Sequence, residues 1–169
     1  RVRMGLDRLM PWDIAVDEQG RDALVPYETI ADFIATAENI FTQVDPQLGA
    51  QFRTMKEDNL LDLDNRKGKA PGGYCTGFQV AERPFIFMNS VGLDGDINTL
   101  LHEAGHAFHG FARYNLPLQP QRSTPMEFNE VASMAMELLA SPYLTKDKGG
   151  YFNQADATRY RIDHLKGII

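Results

Sequence analysis

The chain has 169 residues, 43% hydrophobic and 24% charged, which is a globular rather than a disordered composition and is long enough for one domain with a real core. Its net charge is −6, from 17 Lys+Arg against 23 Asp+Glu, with no basic run, which argues against nucleic acid or an anionic membrane as the main partner. No apolar stretch approaches a membrane span and "RVRMGLDRLMPW" shows no signal-peptide apolar core; Cys75 is the single cysteine, so an internal disulfide is excluded and a cytoplasmic, reducing setting is expected.

Residues 1–25 are mixed, with turns at "MPWD" and "DEQGRD". From Pro26 to about Val44, apolar residues at Ile30, Phe33, Ile34, Ala37, Ile40 and Phe41 recur at helical spacing. A second helix is predicted over "DPQLGAQFRTMKEDNLLDL", with Asp45 as N-cap and Pro46 at its first position. "NRKGKAPGG" (65–73) reads as a loop, followed by two strands, 74–80 and 84–89. After a loop at 90–96, helical periodicity returns from Ile97 to about Tyr114. A Pro-containing connection leads to Thr124-Pro125-Met126-Glu127, whose capping-box spacing with Pro at the first helical position starts a helix to about Ala140. A last helix covers roughly 153–167 and ends on Ile168 and Ile169 without a cap. The expected fold is mainly α, with one β-hairpin or short antiparallel sheet. Both ends read as cuts, so residues 1–169 are expected to be a single segment of a longer protein.

Three of the four histidines fall in "TLLHEAGHAFHGF", residues 99–111. On a helix, Ile97, Leu100, Leu101, Ala104, Phe108 and Phe111 form one apolar face, and His102, His106 and His109 form a second stripe. His102 and His106 lie one turn apart, about 6 Å along the axis, so two imidazoles can converge on one metal ion. Glu103 is about 100° around the helix, beside the metal position, where it can hold a water. This is the H-E-x-x-H arrangement of zinc hydrolases. Gly105 is unfavourable by about 1 kcal/mol inside a helix, which points to a close approach by a neighbouring element. His109 fits either a contact in the site or the surface.

Catalytic zinc usually has three protein ligands and one open position. A third histidine at H-E-x-x-H-x-x-G-x-x-H spacing is excluded, because position 112 is Ala. The helix at 126–140 offers Glu127, Glu130 and Glu137 among Val131, Ala132, Met134, Ala135, Met136, Leu138 and Leu139. An acid buried there needs a partner. Glu130 is 24 residues beyond His106, enough for a loop and an antiparallel return, and is the expected third ligand. Glu127 is better explained as the capping-box glutamate. Glu137 is expected either to orient a ligand or to make a structural salt bridge.

Together, "APGGYC" (70–75), "RPFIFMN" (83–89), "TLLHEAGHAFH" (99–109) and "EFNEVASMAMELL" (127–139) resemble the oligoendopeptidase F and thimet oligopeptidase family of zinc metallopeptidases, closer to the bacterial oligoendopeptidase F branch. The resemblance implies one zinc ion per chain on His102, His106 and Glu130, with Glu103 as general base. It implies that Gly72, Gly73 and Tyr74 line the substrate cleft, with the "PFIFMN" strand beside it, in a mostly helical bowl that admits short peptides. Family members are much longer and carry a downstream His- and Tyr-containing segment that "KGGYFNQADATRYRIDHLKGII" does not match, so the missing remainder of the catalytic domain is an expected partner. Two other readings compete with zinc-dependent endopeptidase activity. One is a catalytically silent zinc-binding fragment or regulatory module. The other makes Cys75 a thiol nucleophile.

Overall fold

The computed structural model describes residues 5, 7–13, 16–17 and 19–168. The uncapped end expected at Ile168 and Ile169 lies outside the described side chains. Among the described residues the elements run α1 (Ile30–Val44), α2 (Pro46–Glu57), β1 (Leu61–Asp64), β2 (Tyr74–Phe78), β3 (Arg83–Ser90), α3 (Asp94–Tyr114), α4 (Met126–Ala140) and α5 (Gln154–Ile168), with short 3-10 turns between some of them. No described helix is long and apolar enough to cross a membrane. The fold is mainly α with one small sheet, as the hydrophobic periodicity predicts.

Local chemistry explains most element boundaries. Helix α1 starts later than expected, because Thr29 caps it by accepting from the Asp32 N–H at 3.1 Å. Asp45 caps α2 by accepting from the Gln47 N–H at 2.7 Å, with Pro46 in the first turn, as read from the sequence. α2 does not continue through "LLDL". Asn59 takes a left-handed backbone (φ 56°), the Leu60 N–H bonds the Met55 carbonyl at 2.8 Å, and the Asn59 N–H bonds that of Lys56 at 3.3 Å. This pair of bonds closes the helix and releases the chain as β1. Four alternating residues are too few for periodicity to announce a strand.

β2 and β3 form the expected hairpin, and β1 adds a parallel strand that makes the sheet mixed. The strand order is β1-β3-β2, with β1 parallel and β2 antiparallel to β3. β3 alternates strictly, burying Pro84, Ile86, Met88 and Ser90 on one face. α3 packs between this sheet and α4. Its expected apolar face holds: Ile97, Leu100, Leu101, Ala104 and Phe108 are buried and Phe111 is partly buried. Phe41 of α1 meets Phe108 edge-on, with ring centres 5.0 Å apart, and Phe52 of α2 at 4.9 Å, which ties the first two helices to α3.

α3 begins at Asp94, not Ile97, because of a residue that periodicity does not flag. The buried Asp96 carboxylate accepts the N–H groups of Val91 (2.8 Å), Gly92 (2.7 Å) and Leu93 (3.2 Å), and the Tyr27 hydroxyl. It therefore gathers the donors of the turn that enters the helix, and the Tyr27 hydroxyl oxygen also accepts from the Gly92 N–H at 3.1 Å. The Thr124–Glu127 capping box does not form. Pro125 is itself the N-cap of α4, no side chain caps it, and Glu127 is exposed.

The close approach predicted at Gly105 is present. A Cβ there would lie 2.6 Å from Ser133 Cα and 2.7 Å from the Ala132 carbonyl oxygen, so α4 rests directly on the α3 backbone. Backbone atoms cannot step aside as a flexible side chain can. Overpacking typically costs about 1–3 kcal/mol, while Ala recovers about 1 kcal/mol of helix propensity. With backbone in the way the upper part of that range, about 2–3 kcal/mol, applies. Gly105→Ala is therefore expected to lower stability by about 1–2 kcal/mol in urea denaturation and to weaken metal binding by displacing α4. An unchanged midpoint would show that the two helices separate freely.

Candidate metal centre

His102 and His106 project from one face of α3, with ring centres 4.9 Å apart and planes at 86°. Glu130, in the second turn of α4, reaches them across the Gly105 contact. Its Oε2 lies 3.2 Å from His102 Nε2 and 3.7 Å from His106 Nε2. Among the described residues, these three form the group whose ligand atoms all fall within 4.8 Å of one another. Tetrahedral zinc, with bonds of about 2.0–2.2 Å, sets its ligand atoms about 3.4 Å apart. The donor set therefore fits such an ion in both chemistry and span. Ser133, buried where the helices touch, has its Oγ 3.1 Å from Glu130 Oε2 and 2.9 Å from the Glu130 carbonyl oxygen.

Glu130 is not the buried acid that the apolar sequence of α4 suggests. Its side chain is 41% exposed, and Phe128, Val131, Leu138 and Leu139 leave an apolar face open among the described residues. The buried acid is Glu137, 6% exposed. Its Oε1 is 2.7 Å from His102 Nδ1, and its Oε2 is hydrogen-bonded by His164 Nε2 of α5. Both alternatives left open for Glu137 thus meet in one residue: it is paired, and the pair includes a candidate ligand. With Nδ1–H given to a carboxylate, His102 turns its Nε2 lone pair toward His106 and Glu130.

Burial alone would raise the Glu137 carboxyl, but the hydrogen bonds from His102 and His164 outweigh it and hold it below the usual range. The same contact holds the His102 imidazole above its ordinary value. Burial lowers His106, so it favours the neutral, ligand-competent ring. Burial raises the Glu103 carboxyl, with the charge of His102 opposing, and the backbone N–H of Cys75 approaches it from β2. Burial, then the neighbouring Glu103, pushes the Cys75 thiol up to about 12. A thiol held protonated is a poor nucleophile, which weighs against the thiol reading.

Next to the donors a cleft of about 220 Å³ runs between β2 and α4, lined by Cys75, Thr76, Gly77, His106, Asn129 and Glu130. Gly72, Gly73 and Tyr74 sit just upstream and do not line it. Gly73 packs against Thr99 of α3, where a Cβ would meet Thr99 Cγ2 at 3.0 Å. The Tyr74 ring stacks on Phe87, centres 4.9 Å apart, on the opposite face of β3 from buried Ile86. His109, half-buried one turn beyond His106, joins neither the donor group nor the Glu137 pair, and burial lowers its imidazole.

The sequence reading missed His164 and the anchors of the 65–73 loop. His164 is the one histidine outside "TLLHEAGHAFHGF", and its 27-residue separation from Glu137 leaves no local pattern. Lys69, its side chain 1% exposed, donates to the carbonyls of Asp64 (2.7 Å) and Met88 (2.5 Å) and to Asp62 Oδ1 (3.0 Å). Asn89 donates to the carbonyls of Ala70 (2.8 Å) and Gly72 (3.0 Å).

The profile of peptidase family M3 matches residues 2–168. This chain belongs to that family. Among its relatives, an oligoendopeptidase F homolog of Lactococcus lactis is 24% identical over 98% of this chain, and the oligopeptidase PepF of Bacillus subtilis is 30% identical over 72% of it. A solved structure of PZ peptidase A with an inhibitor superposes with a TM-score of 0.83 at 35% identity, over 98% of this chain and 28% of that one. The M3 chain spans 27% of the Lactococcus relative and 19% of the Bacillus one. These matches bear out the resemblance to oligoendopeptidase F.

The loop leading to β2 carries a pH dependence of its own. Arg66 donates to Asp62 at 2.6 and 2.8 Å and, with Lys69 and against the desolvation of the site, lowers the Asp62 carboxyl to about 2. A depressed carboxyl stabilises the folded loop fully above its ordinary value of about 3.9, and that contribution is lost as pH falls toward about 2. Protection factors of the 65–73 amides against hydrogen exchange are expected to fall across that window, and Asp62→Asn to flatten the fall. Equal pH profiles for both chains would remove Asp62 from the loop's support.

Proposed function

We propose that this chain is the metal-binding part of a zinc-dependent endopeptidase acting on short peptides. The observation that carries the reading is the convergence of His102, His106 and Glu130 on one point, with Glu103 next along the same helix. A zinc ion bound there supplies an acidified water, of pKa about 7, and a Lewis acid for the scissile carbonyl.

The chain's own residues do the rest. Glu103 accepts the proton of the attacking water and delivers it to the leaving amine. A fixed carboxylate beside the nucleophile separates this arrangement from a structural zinc site, which closes all four positions with ligands and needs no base. Among the described residues β2 pairs with β3 on one side only, so its other edge is open to an extended peptide along Tyr74–Phe78. Main-chain pairing there binds substrates with little regard to side-chain identity. Gly72 and Gly73 lead the chain into that edge. Short peptides, rather than nucleic acid or membrane, are the proposed substrates, in the cytoplasm.

A second reading is a zinc-binding module without turnover of its own, favoured by the chain's span of only 27% of the Lactococcus relative. Three measurements test the pair. Metal analysis is expected to find one zinc per chain, and stoichiometric zinc to be lost in His106→Ala and Glu130→Ala. Full retention in Glu130→Ala would transfer the ligand role to another acid. In a full-length enzyme containing this segment, Glu103→Gln is expected to keep its zinc and lose at least about a hundredfold in turnover. Near-normal hydrolysis by that variant would end the general-base assignment. Finally, the 169-residue chain, compared with the full-length enzyme on one fluorogenic peptide at matched zinc occupancy, is expected to turn over near background, and comparable turnover would remove the silent-module reading.

A further inference from the structure

The structure assigns His164 a role in the metal centre: we propose that it is a positioning residue, holding the Glu137 carboxylate so that Glu137 in turn fixes the ring of the ligand His102. The inference rests on the zinc reading above.

The two oxygens of Glu137 are divided between two rings. Oε1 faces His102 Nδ1 at 2.7 Å, and Oε2 takes the hydrogen bond from His164 Nε2. A carboxylate held at one oxygen only can pivot about its last side-chain bond, and the His102 ring pivots with it. Held at both, it cannot. Glu137 is 6% exposed and the His164 side chain 11%, so bulk water does not readily replace either bond. An unpaired lone pair in such a place is costly.

His164 is itself held. Its ring lies nearly parallel to that of Tyr160 one turn earlier on α5, at 14° with centres 6.1 Å apart, and Tyr160 is buried. Tyr160 in turn packs on Phe152, ring centres 5.1 Å apart. The order of support runs from the core, through Tyr160, His164 and Glu137, to His102. Among the described residues the other candidate ligands have no such chain: His106 meets Glu130, and Glu130 meets Ser133. His102 is therefore the ligand whose direction depends on α5.

Such outer partners typically contribute 10–100-fold in metal affinity. The test uses the 169-residue chain and compares His164→Leu, which fills the space but cannot donate, with His164→Gln, whose amide nitrogen can reach Glu137. Zinc affinity is read by competition with a chromophoric chelator, the ligand field by the visible spectrum of the cobalt(II) form, and folding of the metal-free chain by circular dichroism and thermal melting. His164→Leu is expected to bind zinc at least about tenfold more weakly, with an altered cobalt spectrum, while its metal-free chain stays folded by circular dichroism and melts below the parent. His164→Gln is expected to recover affinity to within about threefold, with the parent's spectrum.

Should His164→Leu fail to fold, His164→Asn, whose amide is one methylene short of Glu137, carries the same comparison against His164→Gln. Affinity and spectrum unchanged in a folded His164→Leu or His164→Asn would overturn the proposal and leave the zinc reading standing. Equal loss in His164→Gln and the non-donating variant would also overturn it, by showing that only packing matters. A parent chain that binds no zinc would overturn both.

Discussion

The backbones of α3 and α4 touch where Gly105 has no side chain, and the candidate site depends on that contact. A Cβ at 105 would lie within 3 Å of both Ser133 Cα and the Ala132 carbonyl oxygen, so no other residue permits the same approach. The contact falls between His102 and His106 on one helix and between Glu130 and Glu137 on the other. Glu130 thereby reaches both imidazoles, and Glu137 reaches the far nitrogen of His102. A wider spacing would leave both acids short of their partners, since a glutamate has little spare reach.

Around this contact, the two acids of α4 have opposite environments and opposite tasks. Glu130, partly exposed, offers an oxygen to the point where a metal fits, and a cleft opens beside it. Glu137, buried, satisfies both oxygens within the protein. A buried carboxylate persists as the charged form only when its hydrogen bonds outweigh its desolvation, and the depressed Glu137 carboxyl shows that they do. The sheet serves the site differently. β3 is the buried spine against α3, and β2 is the edge whose backbone borders both Glu103 and the cleft. Lys69 of the entering loop donates to the carbonyls of Asp64 and Met88, and Asn89 donates to the loop carbonyls of Ala70 and Gly72, so side-chain hydrogen bonds to backbone hold the approach to β2.

Much of this was legible in the sequence because it is local. Three histidines and a glutamate within eight residues show their helical spacing directly, and a glycine amid them announces a close neighbour. Asp45-Pro46 marks a helix start by its own chemistry. The misreadings fall where short-range rules compete. β1 is too short for alternation to stand out against the helix before it. The capping-box spacing at Thr124 lost to Pro125, which became the N-cap itself.

The sequence by itself determined the mainly α fold, through helical periodicity in several segments, and the convergence of His102 and His106 with the carboxylate of Glu103 beside them, through a period of 3.6 residues within one helix. It also narrowed the candidate third ligand to acids of one following helix. Only the tertiary structure decided which acid faces the imidazoles and which is buried behind them. Glu130 and Glu137 share a helix face, and seven residues of spacing do not say which one lies opposite the metal position; the depth at which α4 rests on Gly105 does. It also brought His164, 27 residues beyond Glu137, to the carboxylate's second oxygen. No sequence pattern encodes that contact, because it depends on how α5 folds back against α4 and on the buried aromatic rings that hold it there.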